Sequence, residues 1–249
     1  MQYCVPRVKS KNKYKFFKIF ILFVLVVLLI FVVFMGFYLN SKRNRIFKEK
    51  TYYFVCAQKS KGIKELENMQ DGVKDLGGAG KIYKKDNYNY LMIYVYDDGE
   101  FANSVVLQNK EVYANGIVLE LKTNKINSKT KKLISSNDTY YKYVKKLNND
   151  VENILKLSLN YLSGNINENS MCSKILTIKF ELDDLNDLFK NEKFDEEKIC
   201  NHIKNYINLE ILYFASFFDN FIGSEKKSSI LCEFAINLTL LYIDFFNNL

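Results

Sequence analysis

Three kinds of hydrophobic spacing follow one another along this chain. Positions 19–40 form a run of 22 residues without a charged side chain. As a helix rising about 1.5 Å per residue, that run reaches about 33 Å, enough to cross a hydrocarbon core about 30 Å thick. The pattern predicts a transmembrane helix over 19–40, preceded by a basic tail over 1–18. A cleaved leader has a shorter apolar run that ends in small residues. Phe34-Met35-Gly36-Phe37-Tyr38-Leu39 offers no small-x-small site, so the segment reads as an uncleaved anchor.

Between 51 and 122 the spacing switches between the strand and helix periods. Tyr52-Tyr53-Phe54-Val55-Cys56-Ala57 is rich in aromatic and β-branched residues and predicts a strand. Ile63, Leu66, Met69, Val73 and Leu76 recur at three- and four-residue intervals, one face of an amphipathic helix, which Gly77-Gly78 stops. Lys81-Ile82-Tyr83-Lys84 reads as a second strand, and Asp86-Asn87 as a reversal into a third. In that third strand Tyr90, Met92, Tyr94 and Tyr96 alternate with Leu91, Ile93 and Val95. Asp98 and Glu100 supply a cap and a first-turn acid for a short helix carrying Phe101, Val105 and Val106, before a last strand at Gly116-Ile117-Val118-Leu119-Glu120-Leu121. The order strand, helix, strand, strand, helix, strand predicts a split βαβ unit, with both helices on one face of a four-stranded antiparallel sheet.

The polar, aperiodic stretch Thr123-Asn124-Lys125-Ile126-Asn127-Ser128 marks a linker over 123–136. Beyond it the helical period dominates. Tyr140, Tyr143, Val144, Leu147, Val151, Ile154, Leu155 and Leu159 predict a helix over 138–162, and similar stripes predict helices over 171–189, 195–222 and 228–246. Short connections between them indicate an up-and-down bundle. The last segment is the most apolar of the four, yet Glu233 and Asp244 leave too short an uncharged run for a span, so it reads as a buried bundle helix. The predicted architecture is a membrane-anchored α+β protein: a single transmembrane helix, a small split βαβ (ferredoxin-like) domain over 51–122, and an all-α helical bundle over 137–249.

Charge changes the picture in one respect. The chain carries +8 overall, with 36 Lys and Arg against 28 Asp and Glu; residues 1–50 hold 11 basic groups and one acid, leaving 25 against 27 in the rest. The positive excess therefore belongs to the flanks of the anchor, where it meets lipid headgroups, and gives no reason to expect nucleic-acid binding. Six basic residues precede the apolar run (Arg7, Lys9, Lys11, Lys13, Lys15, Lys18) and five follow it (Lys42, Arg43, Arg45, Lys48, Lys50). The small difference leans towards an N-terminus in the cytoplasm and an external C-terminal part. An abundance of Asn, Lys, Ile and Tyr indicates an AT-rich genome, so Asn- and Lys-rich stretches are not motifs.

Chemistry is sparse. The five cysteines, Cys4, Cys56, Cys172, Cys200 and Cys232, show neither CxxC nor Cys/His ligand spacing, and His202 is the lone histidine. Cys200 and His202, two apart, point to different faces of a helix and make a poor nucleophile and base. The acidic runs Glu181, Asp183, Asp184, Asp187 and Glu192, Asp195, Glu196, Glu197 lack the glycine and oxygen-ligand spacing of a calcium loop. Gly77-Gly78-Ala79-Gly80 follows a helix and precedes a strand, the reverse of a nucleotide loop. No enzyme activity, cofactor or metal is expected.

The strand Tyr53-Phe54-Val55-Cys56-Ala57, the helix closed by Leu76-Gly77-Gly78-Ala79-Gly80, the short strand Lys81-Ile82-Tyr83 and the tyrosine-rich strand from Tyr88 to Tyr96 resemble a divergent SPOR domain. That family is a sheet-and-two-helix module that binds peptidoglycan glycan. The chain departs from the family in carrying Cys56 and Gln58 where a glutamine and a glycine are common, and in lacking an arginine in Tyr90-Leu91-Met92. The resemblance implies a single-pass bacterial envelope protein that contacts peptidoglycan in cell division, sporulation or wall remodelling, with an envelope protein engaged through the bundle. Tyrosine rings stack on sugar faces while the hydroxyl stays solvated. On this reading Tyr53, Tyr83, Tyr88, Tyr90, Tyr94 and Tyr96 line one sheet face as a glycan site. The alternatives are that tyrosine serves here as a good strand residue, in a membrane-tethered protein-interaction scaffold without carbohydrate binding, or that the cargo is a cytoplasmic adaptor.

Overall fold

The computed structural model describes residues 24, 27–35, 46–191 and 197–249. The basic tail over 1–18 and much of the predicted span over 19–40 lie outside the described residues. Val24 and residues 27–35 are helical, and their apolar side chains are exposed, Leu29 at 68% and Phe34 at 73%. Phe47–Leu249 forms one compact unit. It is an α+β protein built on a four-stranded antiparallel sheet, and mostly helical.

The sheet is made from β1 (Thr51–Ser60), β2 (Lys81–Lys85), β3 (Tyr88–Tyr96) and β4 (Ile117–Lys122), in the spatial order β2-β3-β1-β4. Helices α1 (Ile63–Asp75) and α2 (Gly99–Gln108) make the two crossings. The β2–β3 hairpin closes through Asp86-Asn87, with Lys85 paired to Tyr88 and Asp86 in the left-handed region at φ 54°. Helix α1 stops where expected because Gly77 takes φ +85°, which a side chain would resist. Gly78 is required for a different reason: a Cβ there would lie 2.8 Å from Val73 Cγ1 and 2.9 Å from Ile93 Cγ2. Asp98 caps α2, its carboxylate accepting from the amides of Glu100 at 2.9 Å and Phe101 at 3.0 Å.

The predicted linker is partly a helix. Ser128–Ser136 forms α3, capped by Asn127, whose side chain accepts from the Thr130 amide at 2.8 Å. Ile126 and Ile134 are buried, and Thr123 Oγ1 accepts from the Lys50 amide at 2.9 Å. The segment's basic, polar composition conceals these few anchoring contacts, which tie it to the rest of the unit.

Four long helices follow: α4 (Asp138–Leu162), α5 (Glu168–Asn191), α6 (Glu197–Phe221) and α7 (Lys227–Asn247). Each packs on the next, and α7 returns onto α4. Their apolar stripes meet inside: Tyr143, Leu147 and Ile154 of α4, Ile175 and Leu182 of α5, Ile207 and Phe214 of α6, and Leu238 and Phe245 of α7 are buried. Among the described residues, α7 is the one helix long and apolar enough to cross a membrane, and most of it is buried in the unit. That matches its reading as a core helix.

The sheet lies between two helical layers. Ala57 of β1 and Leu91 of β3 pack with Leu66 and Val73 of α1 in one buried cluster. Neighbouring side chains on β1 then show the two faces. The Tyr53 ring lies against Gly99 at the start of α2, whereas the Tyr52 ring meets Tyr242 of α7 edge to face, with centroids 5.8 Å apart. Helix α7 also packs along β3. The face that a free-standing split βαβ unit leaves open is thus occupied by the protein's own C-terminal helix.

Candidate functional site

The six tyrosines of the predicted glycan face do not form one stripe. In the β1–β3 ladder Tyr53 pairs with Tyr96, Val55 with Tyr94 and Lys59 with Tyr90, but the register shifts between Val55 and Cys56 and again between Cys56 and Gln58. Each irregularity breaks the two-residue alternation that a continuous stripe needs. The rings therefore gather in two places. Tyr83, Tyr88 and Tyr90 lie towards the hairpin, where Tyr83 pairs with Tyr90. Lys59 Nζ sits 3.9 Å from the Tyr88 centroid and 5.5 Å from that of Tyr90, and Lys61 Nζ is 5.7 Å from Tyr88. Such cation–π contacts contribute about 0.5–1 kcal/mol at exposed sites.

Towards the other end of β3, Tyr94 is buried, and Tyr96 and its β1 partner Tyr53 are half-buried. Tyr96 stands edge to face with Tyr94 at 4.9 Å and with Phe101 of α2 at 5.1 Å. The Tyr94 hydroxyl bonds to Ser158 Oγ of α4 and donates to the Leu155 carbonyl at 3.3 Å, and the residue is 3% exposed. Burial raises the Tyr94 phenol well above its ordinary range and pushes Tyr96 up to about 12. A sugar-stacking tyrosine needs an open ring face and a solvated hydroxyl. Tyr94 has neither, and Tyr90 is also buried. A cleft of about 200 Å³ opens beside Tyr94, Tyr96 and Tyr113, below the usual size of a small-molecule pocket.

His202 is held structurally. Its ring lies 4.7 Å from Tyr206 and 5.2 Å from Phe245, with Nε2 3.3 Å from the Phe245 carbonyl, and burial lowers its pKa. Cys56, Cys172, Cys200 and Cys232 are free thiols. Among the described residues no group of three metal-ligating side chains converges.

The strongest concentration of perturbed chemistry lies inside the helical part. Lys146 and Asp150 lie one turn apart on α4, with Lys146 Nζ 3.0 Å from both carboxylate oxygens of Asp150 and 3.2 Å from Glu181 Oε2 on α5. Glu210 of α6 is fully buried, neither of its carboxyl oxygens meets a hydrogen-bond partner at ordinary distance, and its acidic neighbour is Asp150. Burial first, and then the Asp150 charge, push the Glu210 carboxyl well above its ordinary range. Asp150 is raised too, by burial, against the opposing pull of Lys146. Burial therefore favours the protonated form of Glu210.

Comparison of the chain with protein-family models, with curated proteins and with solved structures finds no match. The geometry stands alone.

The Asp150–Glu210 pair was missed by a search for motifs, yet the sequence carries its signature. Ile203, Ile207, Glu210, Phe214, Phe217 and Phe221 form the buried stripe of α6, and Glu210 occupies a core position in it. On α4, Asp150 likewise sits between Leu147 and Ile154 on the buried face. An acid in phase with an apolar stripe is the signal, and two such acids on neighbouring stripes make it specific.

Proposed function

We propose that this protein is a membrane-tethered interaction module: a transmembrane segment over 19–40 anchors a split βαβ unit and a helical bundle, with the N-terminus cytoplasmic and the rest external. The observation that carries this reading is the covered sheet. With Tyr94 bonded into α4 and α7 packed along β3, Tyr94 joins the sheet to the helices. The exposed helical apolar residues 27–35 support the tether. The sheet order β2-β3-β1-β4 supports kinship of 51–122 with SPOR-like folds at the level of topology, while the burial of Tyr90 and Tyr94 favours the scaffold over glycan binding.

A surface suited to a protein partner lies on the helices instead. Leu176, Phe180 and Leu188 of α5 and Leu209 and Leu212 of α6 are exposed on helices that pack together, Phe180 at 57% and Leu212 at 60%. Apolar side chains concentrated on adjacent helices mark an interaction surface. A photocrosslinker introduced at Phe180 or Leu212 of the full chain in cells should capture one specific protein, with none captured from Lys174 on the same helix. Retention of the purified full chain on cell-wall sacculi, abolished by Tyr88→Ala or Tyr90→Ala, would overturn the scaffold reading in favour of glycan binding.

A further inference from the structure

We infer that Glu210 and Asp150 form a proton-binding latch between α6 and α4: one proton held by the pair keeps the two helices packed, and its release to solvent loosens them. The two acids come from different helices, both are buried, and Glu210 has no cation of its own. A carboxylate buried without a partner is costly, so the packed state selects the protonated form.

The groups facing the pair from each packed element decide how the charge is balanced. Helix α4 contributes Lys146 and the buried Tyr143 hydroxyl, a polar neighbour of Glu210. Helix α5 contributes Glu181, which shares the Lys146 ammonium with Asp150. Beyond them Tyr206 of α6 neighbours Tyr143 and donates to Asp244 of α7, and the Tyr242 hydroxyl of α7 donates to Asn148 at 3.1 Å. Among the described residues the cation paired with the cluster is Lys146, already divided between two acids. When Glu210 ionises, the cluster holds three carboxylates against one ammonium.

The direction follows from linkage. A carboxyl whose pKa is raised by folding binds its proton more tightly in the packed state. The stabilisation is complete below the ordinary carboxylate range, and it is lost as pH rises through the raised value. Once the opened state has released a proton that the packed state retains, the opening equilibrium shifts about tenfold per pH unit.

Two measurements on the full chain in detergent micelles test the latch. In the infrared, the C=O stretch of a protonated carboxylic acid should be present at neutral pH in the wild type and absent in Glu210→Gln. Hydrogen-exchange protection of α6 peptides, corrected for intrinsic exchange, should fall about tenfold per pH unit in the wild type above the ordinary carboxylate range, and stay flat in Glu210→Gln. Glu210→Leu serves if Glu210→Gln fails to fold, and should likewise lack the acid band and flatten the pH response. A wild type with no acid band at neutral pH, or a band and a pH slope that survive in the variant that folds, would overturn the proposal.

Discussion

Replacing Tyr94 by phenylalanine and by alanine separates a sheet covered by helices from a sheet open to ligand. The hydroxyl that Tyr94→Phe deletes bonds to Ser158 Oγ and lies 3.3 Å from the Leu155 carbonyl. Ser158 Oγ retains the Ile154 carbonyl at 2.7 Å and the Leu155 carbonyl at 3.0 Å, so no polar group is orphaned. The expected cost is therefore the net value of one hydrogen bond, about 0.5–1.5 kcal/mol. Alanine also removes a ring packed 4.9 Å from Tyr96, and the loss should approach that of a buried aromatic, about 3–5 kcal/mol. Ser158→Ala tests the same contact from α4, and the double variant should show about 0.5–1 kcal/mol of coupling. Urea unfolding of the full chain in micelles, followed by far-ultraviolet circular dichroism, reads all four proteins. On an open face the alanine change would cost no more than about 0.5 kcal/mol. A Tyr94→Ala variant in that range, with no coupling to Ser158, would refute the covered sheet.

Lys146→Ala leaves Asp150 buried beside Glu210 without its cation, and should destabilise by about 3–5 kcal/mol near neutral pH, with a smaller loss in acid where Asp150 is neutral; melting temperatures across pH check this. Tyr96 and Tyr206 are both pushed up to about 12, chiefly by burial, so the phenols favour the folded state while neutral. Stability from them should be intact below about pH 10 and fall as pH rises towards about 12, and a tyrosinate absorbance titration should show a late-ionising class that merges with the rest on unfolding. In the tether, Val32→Arg should cost about 2.5–3.5 kcal/mol of insertion free energy and release a measurable share of the protein on alkaline carbonate extraction, and full retention in the pellet would count against a span at that position.

The legible parts of the fold were those in which a local rule and the tertiary structure agree. Asp138–Leu162 appears with the boundaries its stripe predicts, because Asn137 caps one end and Gly164, at φ 74°, follows the other. The Asp86-Asn87 reversal and the Gly77 stop were readable for the same reason. Helix α3 was not, because one deeply buried isoleucine in a lysine-rich stretch produces no period. The gathering of the tyrosines in two places was not readable either, on a more instructive ground. Strict alternation is a property of an unbroken ladder, and the irregularities around Cys56 arise from pairing between β1 and β3 that neither strand's sequence announces. Nor does a strand's own sequence say which helix will lie on it. That Tyr52 meets Tyr242 is a relation across most of the chain, and local spacing contains no trace of it.

That long reach has a consequence for synthesis. β1 starts at Thr51, and its Tyr52 is covered by Tyr242 of α7, while Asn247 Oδ1 accepts from the Asn124 amide at 2.6 Å. On a ribosome the sheet can close once β4 has emerged, but one of its faces waits for about another hundred residues, several seconds at about 5–20 residues per second. During that interval Tyr52 lacks its cover from α7, and apolar surface left open in this way favours aggregation. The last helix is therefore the element that ends exposure, and chains arrested before Lys227 should be the ones that chaperones hold longest.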